Sequence, residues 1–269
     1  MSRVREAVFI TLFLTVVSLI VLATITASQG EILPRTTRSL AKTFLNTTYN
    51  VIDRKFWTAS PEAVAAIVWD YRGLDTFYET IVFYTAIISC LMLYRDILGK
   101  PDVTKGEGLS VVVKRANAIA TVGIIAVGAS TILHGMITPG GGFQGGAIAA
   151  VAPVVLLVVF SRNLIDRSRL TYRKSIVLRN LAILSIVLTA LLPVLLSAGR
   201  GYVFQNQNKE FSVFSYPSLL IDVPMGGSIW FYNLFEGIAV FTAFYLAFRT
   251  ILYSEAISLI VVEGEDRGF

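Results

Sequence analysis

The chain alternates long apolar runs with polar connections. Apolar runs cover residues 7–27, 74–94, 116–137, 145–160, 180–198 and 228–251. Most approach the roughly 20 residues that a helix needs to cross the hydrocarbon of a bilayer. The pattern predicts an all-α, polytopic transmembrane helix bundle of about six spans. A shorter apolar piece, 63–69, is too short to cross and is interrupted by Asp70, Tyr71, Arg72 and Gly73. Between the third and fourth spans lies a glycine-dense break, residues 134–146 (HGMITPGGGFQGG). Pro139 removes a backbone donor there, and Gly140, Gly141 and Gly142 admit backbone angles that a helix interior does not use. Gly145 and Gly146 close the stretch. Backbone of this kind survives at membrane depth only where protein or a water-filled cavity satisfies it. The break is therefore expected to be structured and to line something hydrated.

The connections add direction. Arg3 and Arg5 precede the first run. A signal peptide has the same order of charge, apolar stretch and small residues, but this run is long for one, and a retained helix is expected. In 28–60, Leu45, Tyr49, Ile52 and Phe56 recur at helical spacing beside Arg54 and Lys55. That predicts an amphipathic helix, at the membrane interface or covering a neighbour. Ser60, Pro61 and Glu62 read as a helix start: a capping residue, then proline at the first helical position, then an acid. Six spans place both termini on one side, together with the basic connections 95–115 and 161–179 (Arg162, Arg167, Arg169, Arg173 and Lys174 against Asp166). Cytoplasmic loops carry the excess of Lys and Arg, so the termini are expected in the cytoplasm and the glycine break toward the outer half. The tail ends acidic, with Glu263, Glu265 and Asp266.

Composition agrees with a membrane protein: 55% of the 269 residues are hydrophobic and only 15% charged, with mean hydropathy +0.68. One cysteine, Cys90, and one histidine, His134, exclude a disulfide framework, a cysteine metal cluster and a paired-histidine haem site. The glycine stretch lacks the lysine of a phosphate loop. No cofactor is therefore expected in this chain, and no catalytic redox site of its own. Nothing in the basic residues suggests nucleic acid.

The candidates for chemistry are the polar groups at membrane depth. Asp75 and Glu79 are four apart and share a helix face. Two close carboxylates with restricted hydration suit a group that loads protons or holds a cation; acids in a first turn also suit the helix dipole, solvated at the interface. Glu236 has no compensating charge nearby in sequence. Tyr232 and Asn233 share its face, and Ala239, Ala243 and Ala247 continue it as a small-residue stripe of the sort that packs helices closely. An intramembrane acid is a functional candidate by default, and the alternative is a structural hydrogen bond to a neighbouring helix. His134, with Thr138 close by, is placed to relay protons beside the break or to serve only as a hydrogen-bonding group.

Residues 134–146 resemble the signature of the B-type chain of the multisubunit Mrp-type Na⁺/H⁺ antiporters. The likeness extends over about 112–248, and residues 234–240 (LFEGIAV) resemble that family's last helix, with glutamate where aspartate is commoner. Residues 61–96 are similar to the C-terminal end of the antiporter's large A-type chain, on Asp70, Arg72, Gly73, Asp75, Thr76 and Glu79. In archaeal membrane-bound hydrogenases a separate small chain carries that piece. The sequence thus looks like a fusion of an A-tail module, 60–98, and a B module, 110–252, between an N-terminal helix with its amphipathic connection, 1–59, and an acidic tail, 253–269.

The resemblance implies a membrane subunit of an antiporter module inside a respiratory complex of the hydrogenase or sulfur-reductase type. Na⁺ and H⁺ would be the transported ions. Other antiporter-like membrane subunits would be the partners, with a peripheral nickel–iron or iron–sulfur arm in separate chains. The ion path would use Asp75, Glu79, His134, Thr138 and Glu236. The alternatives are a component of a stand-alone Mrp antiporter and a purely structural membrane subunit. A self-sufficient transporter would favour inverted repeats, and none is evident.

Overall fold

The computed structural model describes residues 2–29, 37–50, 52, 56–94, 108–160, 170–220, 223–224 and 226–251. Arg54, Lys55, residues 95–107 and 161–169 of the basic connections, and the acidic tail lie outside the described residues. The chain forms two units, Met1–Thr43 and Phe44–Phe269.

The first unit holds α1 (Ser2–Gln29), the expected first span. Its stretch Ile10–Thr26 is apolar and exposed along its length. Polar side chains on it are satisfied locally: the Thr15, Thr24 and Thr26 hydroxyls donate to the carbonyls of Thr11, Ile20 and Leu22. That is how a hydroxyl is tolerated without water. Helix α2 (Ser39–Thr48) runs from this unit into the next. The amphipathic helix expected through Ile52 and Phe56 stops at Thr48. The Asn50 side chain accepts from the Ile52 N–H at 3.0 Å, an Asx turn that competes with helix. The Thr58 hydroxyl takes up the Thr48 carbonyl at 2.8 Å.

The second unit contains α3 (Ala63–Ala66), a π turn (Ile67–Tyr71) and five helices long and apolar enough to cross a membrane. These are α4 (Gly73–Leu93), α5 (Val111–His134), α6 (Gly142–Phe160), α7 (Tyr172–Leu196) and α8 (Ser228–Ile251). Each falls on a predicted span, and with α1 they account for the six. Helix α6 packs between α5 and α8, and α8 packs on α6, α7 and α4. The close crossings sit at glycines. A Cβ on Gly145 would lie 2.5 Å from Ile132, and one on Gly146 would lie 2.6 Å from the Gly237 carbonyl. Small residues here set the helix spacing.

Two boundaries differ from expectation. Glu62, not Ser60, caps α3, its carboxylate accepting from the Ala65 N–H. The Ser60 hydroxyl instead donates to the Met136 carbonyl at 2.9 Å, alongside the Glu62 N–H at 3.1 Å. Helix α6 begins at Gly142, so Gly142, Gly145 and Gly146 belong to its first turns. The break proper is 135–141, with Gly140 at φ +130°.

Proline explains how the long connection after α7 folds down. Pro193 lies inside α7 and has no N–H for the Thr189 carbonyl. The Tyr216 hydroxyl donates there instead, at 2.6 Å, and the Phe204 N–H donates to Ala190 at 3.0 Å. The connection includes one minimal antiparallel pairing, β1 (Leu219–Leu220) with β2 (Val223–Pro224). Asn206 is its knot. The Asn206 amide donates to the carbonyls of Thr58 (2.6 Å) and Gly226 (2.7 Å), and its oxygen accepts from Ser228 N–H at the start of α8. Its own N–H donates to Asp70, whose other oxygen pairs with Lys209 at 2.6 Å. Burial pushes the Asp70 carboxyl above the ordinary carboxylate value, and Lys209 and the Asn206 N–H oppose that rise.

Breaking a buried pair strands one charge and costs about 3–5 kcal/mol. Lys209 keeps 15% of its side chain exposed, which places this pair at the low end. Asp70→Ala should lower stability by about 3 kcal/mol in thermal unfolding. The double change Asp70→Leu with Lys209→Met should recover most of that loss.

Candidate functional site

The start of α6 is the centre of the site. A helix has four N-terminal amides without partners inside the helix. Here two are met from α8: Gly142 N–H donates to Asn233 Oδ1 at 3.3 Å, and Phe143 N–H donates to Glu236 Oε2 at 3.1 Å. Glycine is required at the contact, because a Cβ on Gly142 would fall 2.5 Å from the Asn233 carbonyl and 2.6 Å from the Glu236 carboxylate. Asn233 and Glu236 are buried, at 1% and 7% exposure. Partial positive charge at a helix N-terminus favours an anion beside it.

Across from this contact, the π turn redirects the chain into α4. Its wide turn closes with Arg72 N–H donating to the Ile67 carbonyl, and the Thr76 hydroxyl takes the Val68 carbonyl at 2.6 Å. Buried Trp69 anchors it, stacked on Tyr232 with ring centroids 4.6 Å apart. π turns of this kind frequently mark functional sites. Between the π turn, α4, the break and α8 lies a cavity of about 320 Å³. Its polar lining is Thr76, Glu79, Thr80, Gln144, Asn233 and Glu236, with the backbone of Gly140 and Gly141, and no lining residue is basic. One water needs only about 10–15 Å³ of such space, so the cavity has room for several. The Asn233 side-chain N–H₂ is buried without a partner, a donor that such water would meet.

The candidates from sequence separate into three places. Glu79 and Glu236 line the cavity together. Asp75 is exposed on the outer face of α4, where Arg72 holds it at 2.5 Å, and it shares an outer groove with Glu79. His134 and Thr138 are exposed at the end of α5 and do not line the cavity. The His134 Nδ1 lies 3.1 Å from the Ser130 carbonyl, and the Thr138 hydroxyl donates to the His134 carbonyl at 3.2 Å. Pro139 sits in the exposed turn of the break. Among the described residues no three or more His, Cys, Asp or Glu side chains converge as a metal site. Thr80 was not singled out from sequence, and Thr76 and Gln144 entered only through the A-tail resemblance and the polar break, not as site residues. Thr76, Glu79, Thr80 and Phe83 follow the i, i+3, i+4, i+7 spacing of one helix face, which was the available signal.

Fold and site together define a polytopic membrane subunit with a carboxylate-lined cavity beside a broken helix pair. Residues 112–246, just over half of the chain, match the family described as a domain related to the MnhB subunit of Na⁺/H⁺ antiporter, and the chain belongs to that family. An uncharacterized protein of Methanocaldococcus jannaschii, MJ1307, is 29% identical over 38% of this chain and 45% of its own length. The chain thus spans less than half of that curated relative. A chain of the membrane-bound sulfane sulfur reductase, an archaeal respiratory membrane complex, is similar in structure, with TM-score 0.60. It is 25% identical, and the match covers 91% of this chain and all of that one. A chain of the Mrp complex from Dietzia matches with TM-score 0.62 over 90% of this chain and 26% of its own, at 18% identity, a likeness of fold.

Glu236→Gln keeps an oxygen for the Phe143 N–H, whereas Glu236→Ala removes the cap. Loss of a cap costs about 0.5–2 kcal/mol. Thermal unfolding should therefore show Glu236→Ala lowered by about that much, with Glu236→Gln close to the parent protein.

Proposed function

We propose that the chain is the B-type membrane component of an Mrp-like antiporter module in a respiratory complex, and that its cavity forms part of the sodium and proton path. The observation that carries this reading is the pairing of Glu79 and Glu236 in one cavity that has no basic lining residue. Two carboxylates there need a proton or a cation for balance, and exchange between the two is the chemistry of antiport. Threonine hydroxyls, the Gln144 and Asn233 amides and the glycine backbone supply the neutral oxygens that alkali cations take as ligands. Family membership and the likeness to a sulfane sulfur reductase chain support the same assignment.

In this reading the other antiporter-like subunits are the partners. A peripheral arm with iron–sulfur or nickel–iron centres supplies the free energy through electron transfer. The break end of the bundle faces outward, because Lys114, Arg115, Arg173 and Lys174 lie at the opposite end, at the starts of α5 and α7. The exposed His134 and Thr138 would meet a partner chain rather than this cavity. Purification of the intact complex tests the partners: an iron–sulfur protein should accompany the chain, and its absence would favour a stand-alone antiporter.

The ion path is tested by sodium uptake in vesicles holding the whole complex. Glu79→Gln and Glu236→Gln should each lower sodium-coupled activity at least about tenfold while the complex still assembles, a barrier change of about 1.4 kcal/mol or more. Parent-level transport in both variants would remove the cavity from the path and leave a structural role.

A further inference from the structure

The cavity stops partway along the bundle. Phe83 lines it and packs against Phe143 and Phe244, with ring centroids 5.7 and 5.3 Å away. Further along α4 and α8 the buried cluster Ile87, Leu91, Ala243, Leu246 and Ala247 fills the space, and Tyr172 and Ile176 of α7 pack against it. This plug is apolar, and Ala243 and Ala247 bring only a methyl group each to it.

Beside the plug lies a positive charge. Arg179 is 3% exposed and stands about 10 Å along α7 from its start at Tyr172. Long basic side chains close to a helix end run out to the interface. Arg179 instead reaches across to α4. It donates to the Tyr84 carbonyl at 2.8 Å, and its guanidinium lies 4.3 Å from the centroid of the Tyr84 ring. The Tyr84 hydroxyl donates to Asn180 Oδ1 at 3.2 Å, which ties that ring back to α7. Tyr84 lies between Phe83 of the cavity wall and Ile87 of the plug. Among the described residues no carboxylate pairs with Arg179. A carbonyl and a ring face solvate a guanidinium without cancelling its charge. Well-packed apolar side chains fill such a position at no loss of stability, so a charge kept there at membrane depth is a functional candidate.

We infer that Arg179 is a charge barrier: its fixed positive charge at the boundary of cavity and plug keeps sodium ions and protons from leaking on between α4, α7 and α8 to the other end of the bundle. The apolar plug keeps water out, and the guanidinium repels any cation that transient water would carry. Electrostatic barriers of this kind exclude cations from pores. Antiport depends on such a seal, because a cation that crosses alone dissipates the gradient. This rests on the proposed ion path and adds the residue that keeps it coupled.

The test uses vesicles loaded with sodium chloride and holding the intact, resting complex, and it reads passive sodium and chloride efflux. Arg179→Gln keeps an N–H donor for the Tyr84 carbonyl and removes the charge, with Arg179→Asn as a second uncharged variant. Arg179→Lys keeps both donor and charge. The uncharged variants should raise sodium efflux at least tenfold, with chloride efflux within twofold of the parent. Arg179→Lys should hold both within twofold. Parent-level sodium efflux in assembled uncharged variants overturns the proposal. So does an equal rise in sodium and chloride, the mark of a packing hole. A leak of the same size in Arg179→Lys also overturns it, because the charge is then not what seals. If neither uncharged variant assembles, the charge serves folding and the proposal falls. Glu236→Gln keeps the two ideas distinct: parent-level sodium uptake in that variant sinks the ion path itself. Slowed uptake there, with tight vesicles from Arg179→Gln, sinks only the barrier.

Discussion

A helix that begins at membrane depth has to give its first amides to something, since neither water nor lipid is there to take them. In this chain α6 gives two of them to Asn233 and Glu236 of α8. Much else depends on that contact. It allows the 135–141 break to end in a helix rather than in unsatisfied backbone. It requires glycine at 142, and the glycines at 145 and 146 let α5 and α8 come close enough to make it. It also keeps an acid buried in α8, beside partial positive charge and at the wall of the cavity. One interaction is thus both a structural cap and the means of holding a carboxylate at the cavity wall.

The second support is the connection between α7 and α8. It is long and polar in composition, yet Asn206, Gln205 and Gln207 are buried in it and bonded to backbone. Asn206 ties the segment before α3 to the start of α8, and Asp70 joins the π turn to the same knot. These bonds join the π turn, from which α4 departs, to the start of α8, which carries Glu236. The cavity is built from elements far apart in sequence, and this end of the bundle holds them together.

The parts legible in the sequence were those governed by local rules. Each of the six apolar runs holds a helix, and the Gly-Pro break falls between α5 and α6. The small-residue stripe around Glu236 is buried, with Ala239, Ala243 and Ala247 inside. What sequence did not show was set by partners elsewhere in the chain. Helix α6 starts at Gly142 rather than Gly145 because its cap comes from α8, more than 90 residues away. Ser60 looks like a cap but is drawn to the Met136 carbonyl. The spacing of Leu45, Tyr49, Ile52 and Phe56 implies a helix that an Asx turn at Asn50 ends. Glu79 lines one cavity with Glu236, whereas Asp75 is taken by Arg72 on the outer face of α4.

The central claim is that the Glu79–Glu236 cavity holds a cation. Infrared difference spectroscopy on the intact complex, with and without sodium, reads that directly through the carboxylate stretching bands. The account predicts a sodium-induced carboxylate change that disappears in Glu236→Gln and in Glu79→Gln. A change of full size in both variants, or none in the parent protein, would contradict it.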